Sequence, residues 1–526
     1  MAAKNHQRWL GLLAVFIFFT LSIYQLDHAP PIFEDEPWIL APGYKLFKQG
    51  VFGSDLLKGF QNMDQHSLQF MPLFPVLQGA FSQLIGVGLF QLRFVPVCAG
   101  TLCVALVFCL AQQLGRRGAG PVAAALLIFW QWMPAGGHIN LPSGVPFVDL
   151  SRMARYDVLA AMWGLCALLC FVRARRTRWA VFDWACGGCI GLAGLSHVYG
   201  FFWLPAFWVA LMLDRTPRRH SFAMGLRLVG MAALLLLPWA IFVLSHLSDA
   251  LAQARVNATR FDVFNPQFYI NNLLLEHRRY LYGLSNGAAW LRPGVYSLLV
   301  LVPLAWLHQV RQAIGLRRRS AVWLAALALL VPLQFAALLQ PKTYQYLPTP
   351  ASLLILIVAV FLADALAHRH KVIRVATAFC MATLCASGAS GIVYMQRVAQ
   401  QHESPVRYLR ELRQAVPMQA RVLARPNHWP GLMANDFRNF VLPLYRSMSS
   451  ISQNPISFDA ALEEIAPDVV ILDQPLIQMF QDRSTPTARE RSDTFWRYMR
   501  RHNARLTKTM HDNWEQPIEI YWLDQP

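Results

Sequence analysis

The chain has 526 residues, 55% of them hydrophobic and only 14% charged, with a mean hydropathy of +0.33. A soluble protein of this size rarely carries so many long apolar runs, so the composition points to a polytopic membrane protein. The net charge of +18 would suit a nucleic-acid binder, but most Lys and Arg sit in short loops between apolar runs or in the C-terminal stretch. No nucleic-acid motif accompanies them.

A basic head with Lys4 and Arg8 precedes the first apolar run, 9–26. No small-residue cleavage pattern follows it, so it reads as a retained anchor. Further spans are predicted at 94–113, 120–134, 158–173, 180–196, 199–213, 222–245, 294–308, 321–339, 348–366 and 372–396, about eleven in all. The run 71–90 is expected to lie along or dip into the outer leaflet without crossing. On that choice Lys4/Arg8, Arg116/Arg117, Arg173/Arg175/Arg176/Arg178, Arg215/Arg218/Arg219, Arg317/Arg318/Arg319 and Arg369/Lys371/Arg374 share one face. The positive-inside rule makes that face, and the N-terminus, cytoplasmic. Short basic loops of this kind suit a bacterial inner membrane. All nine cysteines lie in or beside apolar runs, and the Cys186/Cys189 pair, inside one of them, reads as packing rather than redox chemistry.

The outer face then holds a first loop at 27–91, a second ending at Asp157, a third at about 246–293, and a tail from about 397. In the third loop Arg255, Arg260, Arg278, Arg279 and Arg292 outweigh Asp249, Asp262 and Glu276. Cations on that side call for an anionic partner. The chain thus divides into a membrane part at 1–396 and a small α/β domain at 397–526. In the latter, strands are predicted at 468–473 and 518–522, and helices at 459–465 and 493–501.

Three stretches carry chemistry. Glu34, Asp35 and Glu36 follow the first span, flanked by Phe33, Pro37, Trp38, Ile39 and Leu40, which would hold three carboxylates against the membrane. Asp157 opens a helix beside Arg152, Arg155 and Tyr156; it suits an N-cap and a site member equally. The turn from Lys342 to Pro348 places a cation and two phenols, Tyr344 and Tyr346, at the outer face. A snorkelling lysine with interfacial tyrosines has the same appearance. His197, between two spans on that face, reads as packing.

On Asp35-Glu36 after the first span, Arg155-Tyr156-Asp157 opening a helix, and Lys342 followed by Tyr346-Leu347-Pro348, the chain resembles the GT-C membrane glycosyltransferases. The likeness is greatest to the branch of protein O-mannosyltransferases and lipid A aminoarabinose transferases. It implies a GT-C-like helical membrane fold and a polyprenyl-phosphate-linked sugar as donor. The acceptor would be a hydroxyl on a lipid, glycan or protein. It further implies Asp35 as the base of an inverting displacement of the lipid phosphate, Glu36 against the acceptor, and Asp157 as a second acidic position. Lys342, Arg255, Arg260, Arg278 and Arg279 are the candidates for the phosphate. General chemistry concurs. A hydroxyl needs a carboxylate within reach to take its proton, and a departing phosphate needs fixed cations in a dry setting. Asp35, Glu36 and Asp157 are also compatible with a divalent metal, which the reading does not require. A transporter or flippase of a lipid-linked substrate is the competing reading. It would place ionisable groups near the bilayer midplane in repeated halves; here they gather at the outer ends of spans and no halves repeat.

Overall fold

The computed structural model describes residues 2–116, 118–214, 217–258, 262–280, 293–316 and 318–524. In order, α1 (Ala2–Ile23) leads into the first long loop, which holds α2 (Asp35–Gln49) and α3 (Leu73–Ile85). Then come α4 (Leu89–Leu114), α5 (Ala119–Phe129), the short α6 (Pro146–Ser151), α7 (Asp157–Thr177), α8 (Ala180–Ser196), α9 (Trp203–Met212) and α10 (Arg218–Ser245). The stretch after α10 folds into α11 (Leu247–Ala258), α12 (Pro266–Leu275) and α13 (His277–Tyr280). The membrane part closes with α14 (Pro293–Gly315), α15 (Arg319–Leu338), α16 (Pro348–Leu366) and α17 (Lys371–Gln401).

Each of the eleven predicted runs coincides with a helix. Among the described residues, eight helices are long and apolar enough to cross a bilayer, while Ala119–Phe129, Ala180–Ser196 and Val198–Met212 are shorter. The run expected at 120–134 stops as a helix at Phe129. The run 71–90 splits into the 13-residue α3 and the first residues of α4. Thirteen residues rise only about 20 Å, short of the ~30 Å hydrocarbon core. Apolar on every side and buried over nearly its whole length, α16 is the central post; α5, α7, α14 and α15 pack around it.

The first loop is fixed by a close crossing of α2 and α3. A Cβ on Gly43 would fall 1.8 Å from the Pro75 carbonyl oxygen, and one on Gly79 would fall 2.3 Å from that of Gly43. Only glycine permits this approach, and it sets the angle at which α2 presents its N-terminus. Asp35 and Glu36 in the first turn suit the positive end of the α2 dipole, and Gly50 in the left-handed region ends the helix.

The tail carries a five-stranded sheet in the order β2-β1-β3-β5-β4. Its strands are β1 (Arg421–Ala424), β2 (Asp436–Asn439), β3 (Val469–Asp473), β4 (Arg505–His511) and β5 (Pro517–Trp522). β1 runs parallel to β2 and β3, whereas β5 is antiparallel to β3 and β4. Helices α18 (Val406–Ala415), α19 (Val441–Ser447), α20 (Phe458–Ile465), α21 (Gln474–Gln481) and α22 (Pro486–Arg501) complete it. α17 runs on to Gln401, a few residues beyond the apolar run expected at 372–396. The tail does not hang free. Leu40, Ala41, Leu92 and Ala154 share one apolar core with Tyr408, Leu412 and Val422. Leu57, Phe60 and Met63 share another with Leu423, Phe440 and Phe495.

Candidate active site

The three carboxylates of the acidic run face three ways, because a helix begins there and successive residues turn by about 100°. Glu34 reaches outward and pairs with Arg425 of the tail at 3.0 Å. Asp35, at the first position of α2, is partly exposed and meets Arg155. Glu36 turns inward and is fully buried. Its two oxygens accept from Arg93 Nε and Nη2, each at 2.8 Å, from the Phe33 amide at 2.9 Å and from the Ala154 amide at 2.6 Å. The expectation that Glu36 touches the acceptor is therefore corrected: with its oxygens engaged and no surface exposed, it anchors the loop.

Arg155 is the hub. Its Nε donates to Asp157 at 2.9 Å, its Nη1 donates to Asp35, and its guanidinium lies over the rings of Tyr156 and Phe33. Burial works against its charge, but Asp157 and Asp35 more than restore it, leaving Arg155 more firmly protonated than usual. Asp157 is the first residue of α7 rather than its N-cap. Tyr156 stacks on His197 at 4.3 Å, and burial raises its phenol well above the ordinary value.

A cavity of about 210 Å³ opens over this pair, lined by Asp35, Arg155, Pro341, Thr343, Gln345 and Tyr346. The turn before α16 thus faces the N-termini of α2 and α7. Of the two phenols in that turn, Tyr346 lines the cavity, while Tyr344 is buried against the ring of His138 at 5.0 Å. Lys342 is buried just behind, paired with Glu276 at 2.8 Å and donating to the Ala336 carbonyl at 2.6 Å. Burial lowers its pKa against the pull of Glu276. Arg279, also buried, shares Glu276 at 2.8 Å and lies over Tyr346. Arg255 and Arg278 are exposed. Arg260 and Arg292 lie outside the described residues.

Arg93, Arg425 and Asp473 are absent from the sequence-derived site, and Arg152 enters it only as a neighbour of Asp157, although the four hold its frame, Arg425 by bridging Glu34 and Asp473 at 3.0 Å each. Besides Glu36, Arg93 binds the carbonyls of Leu26, Pro30 and Pro31. Arg152 gathers those of Ser22, Tyr24, Gln25 and Ala29 at 2.8 to 2.9 Å, and burial lowers its pKa to about 9. A lone arginine beside an apolar run is the signal that could have flagged Arg93, since such a charge requires a partner. As for a metal, no group of three His, Cys, Asp or Glu among the described residues is arranged to hold one. Between Asp35 and Asp157 the bridging cation is the Arg155 guanidinium.

No protein-family model and no curated protein sequence matches the chain; solved structures do. ArnT from Cupriavidus metallidurans, bound to undecaprenyl phosphate, aligns with a TM-score of 0.59 at 14% identity, covering 97% of this chain and 97% of ArnT. The Archaeoglobus fulgidus oligosaccharyltransferase in its apo form aligns with a TM-score of 0.56 at 13% identity, over 89% of this chain and 70% of that one. The same archaeal enzyme, AglB, in complex with an inhibitory peptide and a dolichol-phosphate aligns with a TM-score of 0.55 at 14% identity, over 89% and 69%. At such identities the likeness is one of fold. Together with eight helices fit to span a bilayer, it makes this chain an integral membrane protein with the fold of the GT-C membrane glycosyltransferases.

Proposed function

We propose that the protein is a glycosyltransferase that moves a sugar from a polyprenyl-phosphate donor to a hydroxyl acceptor, with Asp35 as general base. The observation that carries this reading is the cavity where a partly exposed carboxylate, a buried arginine and the turn at 341–346 converge. The acceptor hydroxyl gives its proton to Asp35 as its oxygen attacks the anomeric carbon from the face opposite the phosphate. The carbon–oxygen bond to phosphate breaks, and the lipid phosphate leaves with the electron pair, inverting the centre. Arg155, held by Asp157, steadies Asp35 before the donor arrives and offers its charge to the departing phosphate. Lys342 and Arg279, sharing the single carboxylate of Glu276, stand behind the turn as further positive charge. The ArnT and AglB structures, similar in fold, hold undecaprenyl phosphate and dolichol-phosphate respectively, which supports a donor of this class. In the same reading the N-terminus is cytoplasmic, the tail lies outside, and the membrane is a bacterial inner membrane.

The test is Asp35→Asn in purified protein reconstituted in lipid, with sugar transfer and donor binding measured separately. Asparagine keeps the volume and cannot take the proton, so transfer should fall about 10²- to 10⁴-fold while donor binding persists. Near-normal turnover would remove Asp35 from the role of base. Parallel loss of donor binding would make Asp35 an anchor and turn attention to Asp157.

A further inference from the structure

At the end of the bundle away from Asp35, a recess of about 880 Å³ opens where α14, α16 and α17 meet. Its distance from the site follows from α4. That helix carries Arg93 under the acidic run at its start, and its 26 residues extend about 39 Å before Arg116. The body of the recess is apolar, walled by Leu301, Leu304, Phe361 and Ile373, and its lip is polar. At the lip sits Asp364, a carboxylate in the last turn of a spanning helix. Such a group is costly there unless partnered. It accepts from His308 at 2.9 Å and Gln312 at 2.7 Å, and it pairs with the exposed Arg116 at 2.9 Å. Arg311 lines the same lip. Two guanidiniums against one carboxylate leave a net positive mouth on an apolar recess.

A soluble anion has no use for the apolar walls, and a neutral lipid has none for two arginines. The volume lies within the range of roughly 300–1,000 Å³ usual for small-molecule sites. We infer that the recess is a binding site for one anionic glycerophospholipid, its phosphate at Arg116 and Arg311 and an acyl chain along Leu301, Leu304 and Phe361. Charge and shape at the far end of the bundle are all that such a site requires.

The experiment mixes the purified full-length protein, in a neutral detergent, with phosphatidylglycerol, phosphatidylcholine or undecaprenyl phosphate and reads retained lipid by native mass spectrometry. Phosphatidylglycerol should be retained over phosphatidylcholine. Arg116→Gln with Arg311→Gln, both at exposed positions, should weaken that retention about 30-fold, the combined worth of two arginines at an anionic lipid. Ala376→Trp, exposed and lining the recess, should weaken it without changing any charge. Equal retention of the two glycerophospholipids, or undiminished phosphatidylglycerol in both variants, reduces the recess to ordinary bilayer contact and overturns the inference. Undecaprenyl phosphate displacing phosphatidylglycerol from the wild type but not from the charge variant overturns the choice of lipid.

Discussion

Replacing Glu36 with glutamine alters almost no volume, yet the structure makes it a severe change. The carboxylate faces four donors, two from Arg93 and the amides of Phe33 and Ala154, in a place with no exposed surface. A glutamine offers one oxygen and turns an NH₂ against donors that already lack an acceptor. Arg93 keeps its three carbonyl partners but loses its counter-charge while fully buried. Breaking such a pair from one side costs about 3–5 kcal/mol, or roughly 10²- to nearly 10⁴-fold in the folding equilibrium. The assay is the fraction of monodisperse protein left after a heating series in one detergent, with Glu34→Gln as control. Glu34 is partly exposed and pairs only at the surface of the tail, so its loss should cost at most about 1 kcal/mol. If the two variants melt together, Glu36 is not an anchor and the burial argument fails.

Lys342→Met should weaken undecaprenyl-phosphate binding about 10- to 100-fold, the worth of a charged hydrogen bond. Glu276→Gln, which releases the Lys342 ammonium, should leave it no weaker; loss in both variants would mark the pair as structural only. Burial pushes the Asp473 carboxyl up, but His428 and Arg425 outweigh it and hold the group at about 2, below its ordinary 3.8. Its stabilising effect, about 2 kcal/mol, is therefore complete above pH 4 and lost as pH falls through 2. Asp473→Asn should lower the melting temperature at pH 7 and flatten the acid limb, and an unchanged acid limb would refute the assignment. Reporter fusions after Arg176, Arg219 and Arg319 should read cytoplasmic and fusions in the tail exterior; a cytoplasmic tail would put Asp35 on the wrong face for a lipid-linked donor.

Spans, the tail's mixed character and the convergence of Asp35 with Arg155 and Asp157 were legible because each leaves a local trace: an apolar run, a strand-length run, a charge at a helix start. What a run of three acids does was not legible. Read as a string, Glu34, Asp35 and Glu36 are one patch; wound into a helix, they serve the tail, the cavity and the core. Arg93 lies 57 residues from Glu36 and Arg425 lies 391 from Glu34, and no periodicity reports such distances. The sequence offers Lys342 as a candidate for the phosphate but does not reveal its partner Glu276, supplied by the third loop. The missed strands have physical excuses. β1 and β2 are four residues each, below what alternation can register, and β4 is a largely exposed edge whose Arg505, Lys508 and His511 conceal its extended form.

The two apolar cores shared between the first long loop and the tail bear on how such a chain can be recombined. Neither partner owns a complete interior: Leu57, Phe60 and Met63 fill one side of a core whose other side is Leu423, Phe440 and Phe495. A tail grafted from a distant relative onto this bundle would meet half-cores shaped for another surface, and a stop after Gln401 would leave the loop's apolar face in water. Exchange should succeed only when residues 27–91 travel with the tail, so the unit of inheritance at this end of the bundle is a pair of segments far apart in the chain.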